Sequence, residues 1–169
     1  VKTGFFGDAV LHARFEPHEL PSVMISEIHY NPSGDLQGED EDFEFLELFN
    51  YEKEQVDLSG YKFTDGITFT FPEDSYINPG EFLLLVSNPI VYENSGARYF
   101  QITGGRLDNA GEILTLCDPE NNIIDQVHFD DHYPWAREPD GDGPSLELQS
   151  PRLDNALASS WQASQVKGG

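Results

Sequence analysis

The sequence predicts an all-β sandwich of about nine short strands. From Val23 onward, runs of β-branched, aromatic and leucine residues alternate with clusters of Pro, Gly, Asn and Asp, which is the pattern of a sandwich. No stretch has a convincing helical period, and the best helical segment is a single turn at residues 154–160. We expect strands at residues 23–29, 43–50, 61–64, 67–71, 82–87, 99–102, 112–117, 123–129 and 145–149.

The turns between these strands have a chemical basis. Asp65 and Gly66 tolerate the positive φ angles that a tight hairpin needs. Residues 78–80 and 119–122 are rich in Pro, Gly and Asn, which reverse the chain direction. Within residues 43–50, both the odd-numbered and the even-numbered positions include several apolar side chains, so we expect a central strand that is covered on both faces.

The ends of the chain differ from the segment between them. Pro17 and Pro21 separate a short apolar run from the first predicted strand, so we interpret residues 1–21 as a linker or the remnant of a preceding module. The domain itself is expected at residues 22–163, and residues 164–169 are expected to form a loose tail. Because the chain opens on Val1 without a signal pattern, it resembles a domain cut from a longer protein.

The charge excludes several classes of partner. Nine Lys and Arg residues oppose 31 Asp and Glu residues, so the net charge is −22. Such a surface repels the phosphates of DNA and RNA and the headgroups of anionic lipids. No window approaches the roughly 18 apolar residues of a membrane span, so membrane insertion is not expected. Solvation is the simplest account of the charge, and binding of a multivalent cation is the alternative.

Catalytic chemistry has little support. Cys117 lies in an apolar strand, where its thiol stays protonated and inert, and a single cysteine forms no internal disulfide. No serine lies in a nucleophile elbow. His128 and His132 are four residues apart but at a strand end, not on a helical face, which argues against zinc. With this many acidic residues, chance carboxylate pairs are expected, so we predict no catalytic residues and no enzyme.

Two acidic segments are candidate calcium sites. Residues 35–42 hold five acidic side chains and no basic one, and Asp140 and Asp142 alternate with glycines in a compact turn. Calcium selects oxygen ligands of this kind. Neither segment matches the twelve-residue calcium loop, because the downstream bidentate Glu is missing. The alternatives are a solvated charge run for the first segment and a tight structural turn for the second.

Glu27 and Glu47 form a further candidate metal pair. Glu27 shares a predicted strand face with Val23 and Ile25, and Glu47 shares one with apolar neighbours, so both carboxylates are expected to point toward a core or its rim. A hairpin centred near residue 37 would place the two opposite each other. Like charges in that position are destabilising unless a cation, a proton or backbone donors compensate, or unless the register differs. Calcium is the one cofactor that the sequence suggests.

Aromatic residues in one loop are candidate ligand contacts. Tyr133 and Trp135 flank Pro134, and their side chains offer flat surfaces for a sugar or a protein. The alternative is that Trp135 packs over the end of the sandwich as a lid.

An ordered series of motifs resembles the bacterial lamin tail domain family over roughly residues 22–161. These motifs occupy residues 25–32, 44–50, 56–66, 77–86, 107–112, 118–125 and 142–148. The resemblance implies an immunoglobulin-like β-sandwich of the Greek-key type and no established catalytic residues.

The resemblance also implies a functional setting. Bacterial members look like accessory modules for binding, adhesion or spacing in secreted or cell-surface multidomain proteins. We therefore expect an extracellular domain, monomeric in isolation, whose partner is a protein or a glycan at the cell surface. A calcium-stabilised structural domain and a carbohydrate-binding module that uses loop aromatics are the alternatives. The filament and chromatin roles of nuclear relatives are not expected, because the chain lacks coiled-coil heptads and a basic surface.

Overall fold

The structure, a computed structural model, describes residues 22–37 and 40–168. The described residues form a β-sandwich with a six-stranded and a four-stranded sheet, together with a separate pair of two-residue strands. This confirms the predicted all-β, immunoglobulin-like class. The linker or remnant predicted at residues 1–21 lies outside the described residues, and the domain boundaries remain a prediction.

The six-stranded sheet has the order β12-β11-β1-β2-β7-β8, and the four-stranded sheet has the order β10-β9-β4-β5. A late strand, β11, lies beside the first one, so the order β11-β1-β2-β7 is that of a Greek key. The strands are β1 (Val23–His29), β2 (Phe45–Asn50), β3 (Val56–Asp57), β4 (Lys62–Asp65), β5 (Phe69–Thr70), β6 (Tyr76–Ile77), β7 (Phe82–Val86), β8 (Tyr99–Gln101), β9 (Gly111–Cys117), β10 (Ile123–Asp130), β11 (Pro144–Leu148) and β12 (Trp161–Lys167). Short helices are α1 (Gly34–Gln37), α2 (Asp40–Phe43), α3 (Pro89–Tyr92) and a 3-10 helix (Ala158–Ser160).

Each of the nine predicted strands has a counterpart, and three further strands were not predicted. Strands β3 and β6 have two residues each, which is too short for an alternating pattern. The third, β12, corrects the prediction of a loose tail from residue 164, because it pairs with β11 as far as Lys167. Its sequence is polar because it forms one edge of the sheet and half of its side chains face solvent.

The hairpin of β1 and β2 has the register that the sequence suggested, with Glu27 opposite Glu47. A β-bulge interrupts β1 between Ile25 and Glu27. At the bulge, the Ile25 amide donates to the Asp125 carboxylate of β10 at 2.6 Å. This bond links the six-stranded sheet to β10, an edge strand of the four-stranded sheet.

The core lies between the two sheets. It contains residues from both, including Leu46 and Leu48 of β2 and Leu114 and Leu116 of β9, all of them fully buried. At one end, Phe69, Phe71 and Phe100 pack with ring centroids 4.8–5.8 Å apart. No helix in the described part of the chain is long and apolar enough to cross a membrane.

Candidate functional site

Three glutamates lie side by side on the outer face of the six-stranded sheet, the face opposite the core. Glu27 of β1 is directly paired with Glu47 of β2 on one side and with Glu147 of β11 on the other. Directly paired residues on antiparallel strands point to the same face, with Cβ atoms roughly 5 Å apart. We call these three residues the carboxylate row.

The bulge in β1 creates the row and corrects one sequence expectation. In a regular strand, Glu27 would share a face with Val23 and Ile25, which are fully buried in the core. The extra residue at the bulge reverses this alternation, because Ile25 pairs with the core residue Leu48 whereas Glu27 pairs with Glu47. Glu27 therefore faces outward, as Glu47 does, and neither carboxylate enters the core between the sheets.

Glu27 at the centre of the row and Glu47 at one end each receive one side-chain hydrogen bond from a hydroxyl group. Ser26 Oγ donates to Glu47 Oε1 at 2.7 Å, and the buried Ser145 hydroxyl donates to Glu27 Oε1. The pKa of Glu47 is raised to about 7, mainly by burial and to a smaller extent by the charges of Glu27 and Glu147, while the Ser26 bond lowers it. Burial likewise raises the pKa of Glu27, with a smaller contribution from Glu147. Near neutral pH, the row therefore holds negative charge at an energetic cost.

A concave surface surrounds the row. One cavity of about 310 Å³ is lined by all three glutamates together with Phe49 and Phe82. The two phenylalanine rings lie 4.7 Å apart, and Phe82 is 53 % exposed, which is unusual for a side chain of this size. We call the surface formed by Glu27, Glu47, Glu147, Phe49 and Phe82 the outer groove.

The outer groove continues past the row in both directions. Toward β12, a cavity of about 330 Å³ is bordered by Glu27, Glu147 and Gln162. Toward α3, a cavity of about 210 Å³ reaches Tyr92, whose hydroxyl donates to the Phe43 carbonyl at 2.6 Å. Glu27 borders all three cavities, so its carboxylate lies near the centre of the groove.

No Lys or Arg of the described residues forms an ion pair with the carboxylate row. Arg98, for example, lies 3.3 Å from Glu81 and over the ring of Tyr76, away from the row. The row thus combines a raised pKa, partial burial and like-charge neighbours without a described counter-charge.

The four predicted metal ligands do not come together. Glu27 and Glu47 lie in the carboxylate row, whereas Asp140 and Asp142 lie in the loop before β11, where both are exposed. Asp140 accepts a 2.6 Å hydrogen bond from Asn31 Nδ2, which supports a structural part for this turn. Among the described residues, no group of three metal-ligating side chains with converging ligand atoms includes any of the four. Calcium binding at these residues stays a prediction.

The two loop aromatics have opposite environments. Trp135 is 8 % exposed and packs against Trp161 with ring centroids 6.1 Å apart, so it closes the end of the core as a lid would. Tyr133 is 92 % exposed and is the most accessible large hydrophobic side chain of the described residues. Of this pair, Tyr133 is therefore the one available as a surface contact in the free domain.

Cys117 is buried at the end of β9, as the sequence indicated for an inert thiol. The sequence reasoning missed two groove residues, Glu147 and Phe82. Glu147 stands between two leucines in β11, the same alternation that singled out Glu47, so the signal for it was present. The pairing of β11 with β1 joins residues 120 apart and has no local signature in the sequence.

Comparison with known families agrees with the fold. The family model described as Lamin Tail Domain matches residues 16–131, which is more than two thirds of the chain. Strands β11 and β12 follow the matched segment, so Glu147 lies outside it. A comparison with curated proteins finds no match. The chain belongs to the lamin tail domain family, a family of immunoglobulin-like, non-catalytic domains.

Proposed function

We propose that this domain is a non-catalytic binding module whose outer groove receives a lysine or arginine side chain of a protein partner. The observation that carries the proposal is the carboxylate row, three directly paired glutamates without a described counter-charge. We further propose that the module serves a secreted or cell-surface multidomain bacterial protein. That setting rests on the resemblance to bacterial lamin tail domains.

The electrostatics of the row favour a cation. Desolvation raises the pKa of Glu47 to about 7, so the ionised row is less stable than it would be in water. A cationic side chain placed between Glu27 and Glu47 would compensate both the desolvation and the mutual repulsion of the carboxylates. Charge-assisted hydrogen bonds of this kind are roughly twice as strong as neutral ones.

The apolar part of the groove favours a side chain with a long aliphatic stem. Lys and Arg bury their methylene groups against apolar surfaces while the charged end reaches a polar site. Phe49 and Phe82 provide such a surface beside Glu47. An exposed aromatic face also attracts cations directly. A free metal ion would make no use of this surface, and so a protein side chain fits the groove better.

Glycan binding through loop aromatics has less support in the geometry. A sugar platform needs an accessible aromatic face, and Trp135 is buried against Trp161. Tyr133 alone offers a single exposed ring. We therefore propose a protein partner, and glycan binding becomes an outcome that a test can reveal.

The test uses a tetralysine peptide as the probe and amide chemical shifts of the isotope-labelled chain as the readout. We expect the largest shifts in β1, β2 and β11, and an affinity that falls several-fold in the double variant Glu27→Gln/Glu47→Gln. The control is Glu52→Gln/Glu54→Gln, which removes the same charge from exposed residues outside the groove. Equal losses in both variants would show that the peptide responds only to the net charge, and would contradict the proposal.

The same samples test the calcium alternative. A ligand that binds only the folded state raises the melting temperature. If millimolar CaCl2 raised it more than MgCl2 did, and Glu27→Gln/Glu47→Gln abolished the difference, the groove would be a calcium site. We expect equal melting temperatures in the two salts.

A further inference from the structure

The aromatic part of the outer groove bears on which cationic side chain the groove receives. Phe82 of β7 is directly paired with Phe49 of β2, and about half of its side chain is exposed. Phe82 also borders both cavities that contain Glu47, the one of about 310 Å³ and the one of about 210 Å³. Glu27 borders the same two cavities. An accessible aromatic ring therefore shares two cavities with the same pair of carboxylates.

The sheet geometry places this aromatic surface within reach of a ligand at Glu47. Phe49 follows Glu47 by two residues on β2, so the two side chains leave the same face about 7 Å apart along the strand. Phe82 is opposite Phe49 and thus diagonal to Glu47. Diagonal neighbours on one face are about 7–8 Å apart, which long side chains can span. One cationic side chain can therefore contact the ring and the carboxylate together.

Glu27 and Glu47 each have one carboxylate oxygen left for a ligand. Oε1 of Glu47 accepts from the Ser26 hydroxyl, and Oε1 of Glu27 accepts from the Ser145 hydroxyl. Within the described part of the chain, Oε2 of neither glutamate accepts a hydrogen bond. The two glutamates are directly paired, so their Cβ atoms are roughly 5 Å apart. A ligand with several N–H donors can bond both of them.

We propose that the outer groove prefers arginine to lysine, with the guanidinium stacked on the ring of Phe82 while it donates to Glu47 and Glu27. This inference rests on the proposed function, because it specifies the side chain that the groove receives. A guanidinium is planar and carries five N–H donors, so its face can lie on an aromatic ring while its edge donates to carboxylates. An ammonium group is a compact point charge without such a face.

Partial burial of the carboxylate row adds to this preference. Burial raises the pKa of Glu47 to about 7 and also raises the pKa of Glu27, because the groove hydrates a charge less well than bulk water does. A cation that enters the groove must likewise give up part of its hydration. The guanidinium is more weakly hydrated than the ammonium group, so this loss costs less for arginine.

The chain already holds one arginine in an environment of this kind. Arg98 Cζ lies 4.4 Å from the centroid of the Tyr76 ring, and Arg98 Nη1 lies 3.3 Å from Glu81 Oε1. One guanidinium thus contacts an aromatic face and a carboxylate together. The outer groove offers the same two surfaces, and no arginine of the described residues borders its three cavities.

The test is a calorimetric titration of the chain with tetraarginine and, separately, with tetralysine at pH 8. We expect tetraarginine to bind roughly fivefold more tightly, from the ring contact and the additional donors. Phe82→Leu keeps an apolar side chain but removes the ring, and should lower the ratio of the two affinities by about twofold or more. The matched control, Tyr133→Leu, removes an exposed ring outside the groove and should leave the ratio unchanged.

A second measurement needs no variant. In the wild-type chain with saturating tetraarginine, we expect nuclear Overhauser effects between the arginine δ-protons and the ring protons of Phe82. Because Phe82 is at an exposed position, Phe82→Leu should also fold, and its melting temperature checks this.

The outcomes separate this inference from the proposed function. Equal affinities for the two peptides, or an unchanged ratio in Phe82→Leu, would overturn the preference for arginine. If Glu27→Gln/Glu47→Gln still weakened both peptides more than Glu52→Gln/Glu54→Gln did, the proposed function would stand and the preference alone would fail. If the two double variants weakened both peptides equally, both proposals would fail.

Discussion

Two carboxyl groups with raised pKa values, Asp125 and Glu47, differ in what surrounds them. Asp125 lies in the core, where its Oδ2 accepts from the Ile25 amide at 2.6 Å and from Asn155 Nδ2 at 2.8 Å. Its Oδ1 accepts from the Gln126 amide at 2.9 Å. Glu47 lies in the outer groove, where one hydroxyl donates to it, Glu27 is paired with it on the neighbouring strand, and Glu147 lies one strand further on.

The difference separates a structural carboxylate from a binding one. Burial raises the pKa of Asp125 to about 6 and that of Glu47 to about 7, so burial alone does not distinguish them. Asp125 is surrounded by donors that the fold provides, and the backbone carbonyl of Asn155 in turn accepts from Trp161 Nε1 at 2.8 Å. Glu47 has fewer donors and more negative neighbours. The energetic cost of its ionised form is therefore left for a binding partner to compensate.

The largest expected effect comes from removing the carboxyl group of Asp125. Asp125→Ala should reduce the free energy of unfolding by about 3 kcal/mol, because it leaves the Ile25 amide buried without an acceptor and removes one of the two acceptors of Asn155 Nδ2. Urea unfolding at pH 7 measures this. A decrease in the free energy of unfolding of less than about 1 kcal/mol would show that the hydrogen bonds of Asp125 do not stabilise the fold.

The raised pKa of Asp125 should also make the stability of the domain depend on pH. The folded-state pKa of Asp125 is raised from 3.8 to about 6, so the folded state binds the extra proton. The free energy of unfolding should therefore fall as the pH rises from about 4 to 6 and stay level above that. Asp125→Asn, which has no proton to lose, should remove this fall from the stability profile.

Neutralising Glu47 should stabilise the domain, in contrast to the loss of stability expected for Asp125→Ala. The pKa of Glu47 is raised from 4.5 to about 7, so the wild-type protein loses stability as the pH rises through that window. Glu47→Gln should stabilise the domain by about 1–2 kcal/mol at pH 8, after allowance for partial solvent screening, and should be neutral at pH 4. Urea unfolding of both proteins at the two pH values provides the measurement. Equal stability of the wild type and Glu47→Gln at pH 8 would mean that the ionised carboxylate row does not lower the free energy of unfolding.

A smaller effect concerns the hydroxyl that supports the row. Ser145→Ala removes the donor to Glu27 and should reduce the free energy of unfolding at pH 8 by about 1 kcal/mol. It should also raise the pKa of Glu27 further, since the Ser145 bond lowers it. The exposed control Glu52→Gln should change stability by less than about 0.5 kcal/mol.

Much of this comparison was predictable from the sequence. The register of Glu27 and Glu47 followed from the hairpin arithmetic, and alternation in β2 correctly placed Glu47 on the face of its apolar neighbours, although that face was expected to be the core side and is the outer one. The face of Glu27 did not, because the bulge depends on the Ile25 amide reaching Asp125, a contact between residues 100 apart. Glu147 was not placed beside Glu27 for a related reason, since the pairing of β11 with β1 joins residues 120 apart, whereas β12 was missed because its edge position makes its sequence polar.

The most direct test of the proposed function is a carbon-13 titration of the glutamate side-chain carboxyls with and without tetralysine. In the free domain, Glu47 should titrate with a pKa near 7, as its burial in the groove requires. Bound peptide should lower that pKa by at least about one unit, because a cation favours the ionised form. A Glu47 pKa near 4.5 in the free domain, or one that saturating peptide leaves unchanged, would contradict the proposal that the outer groove receives a cationic side chain.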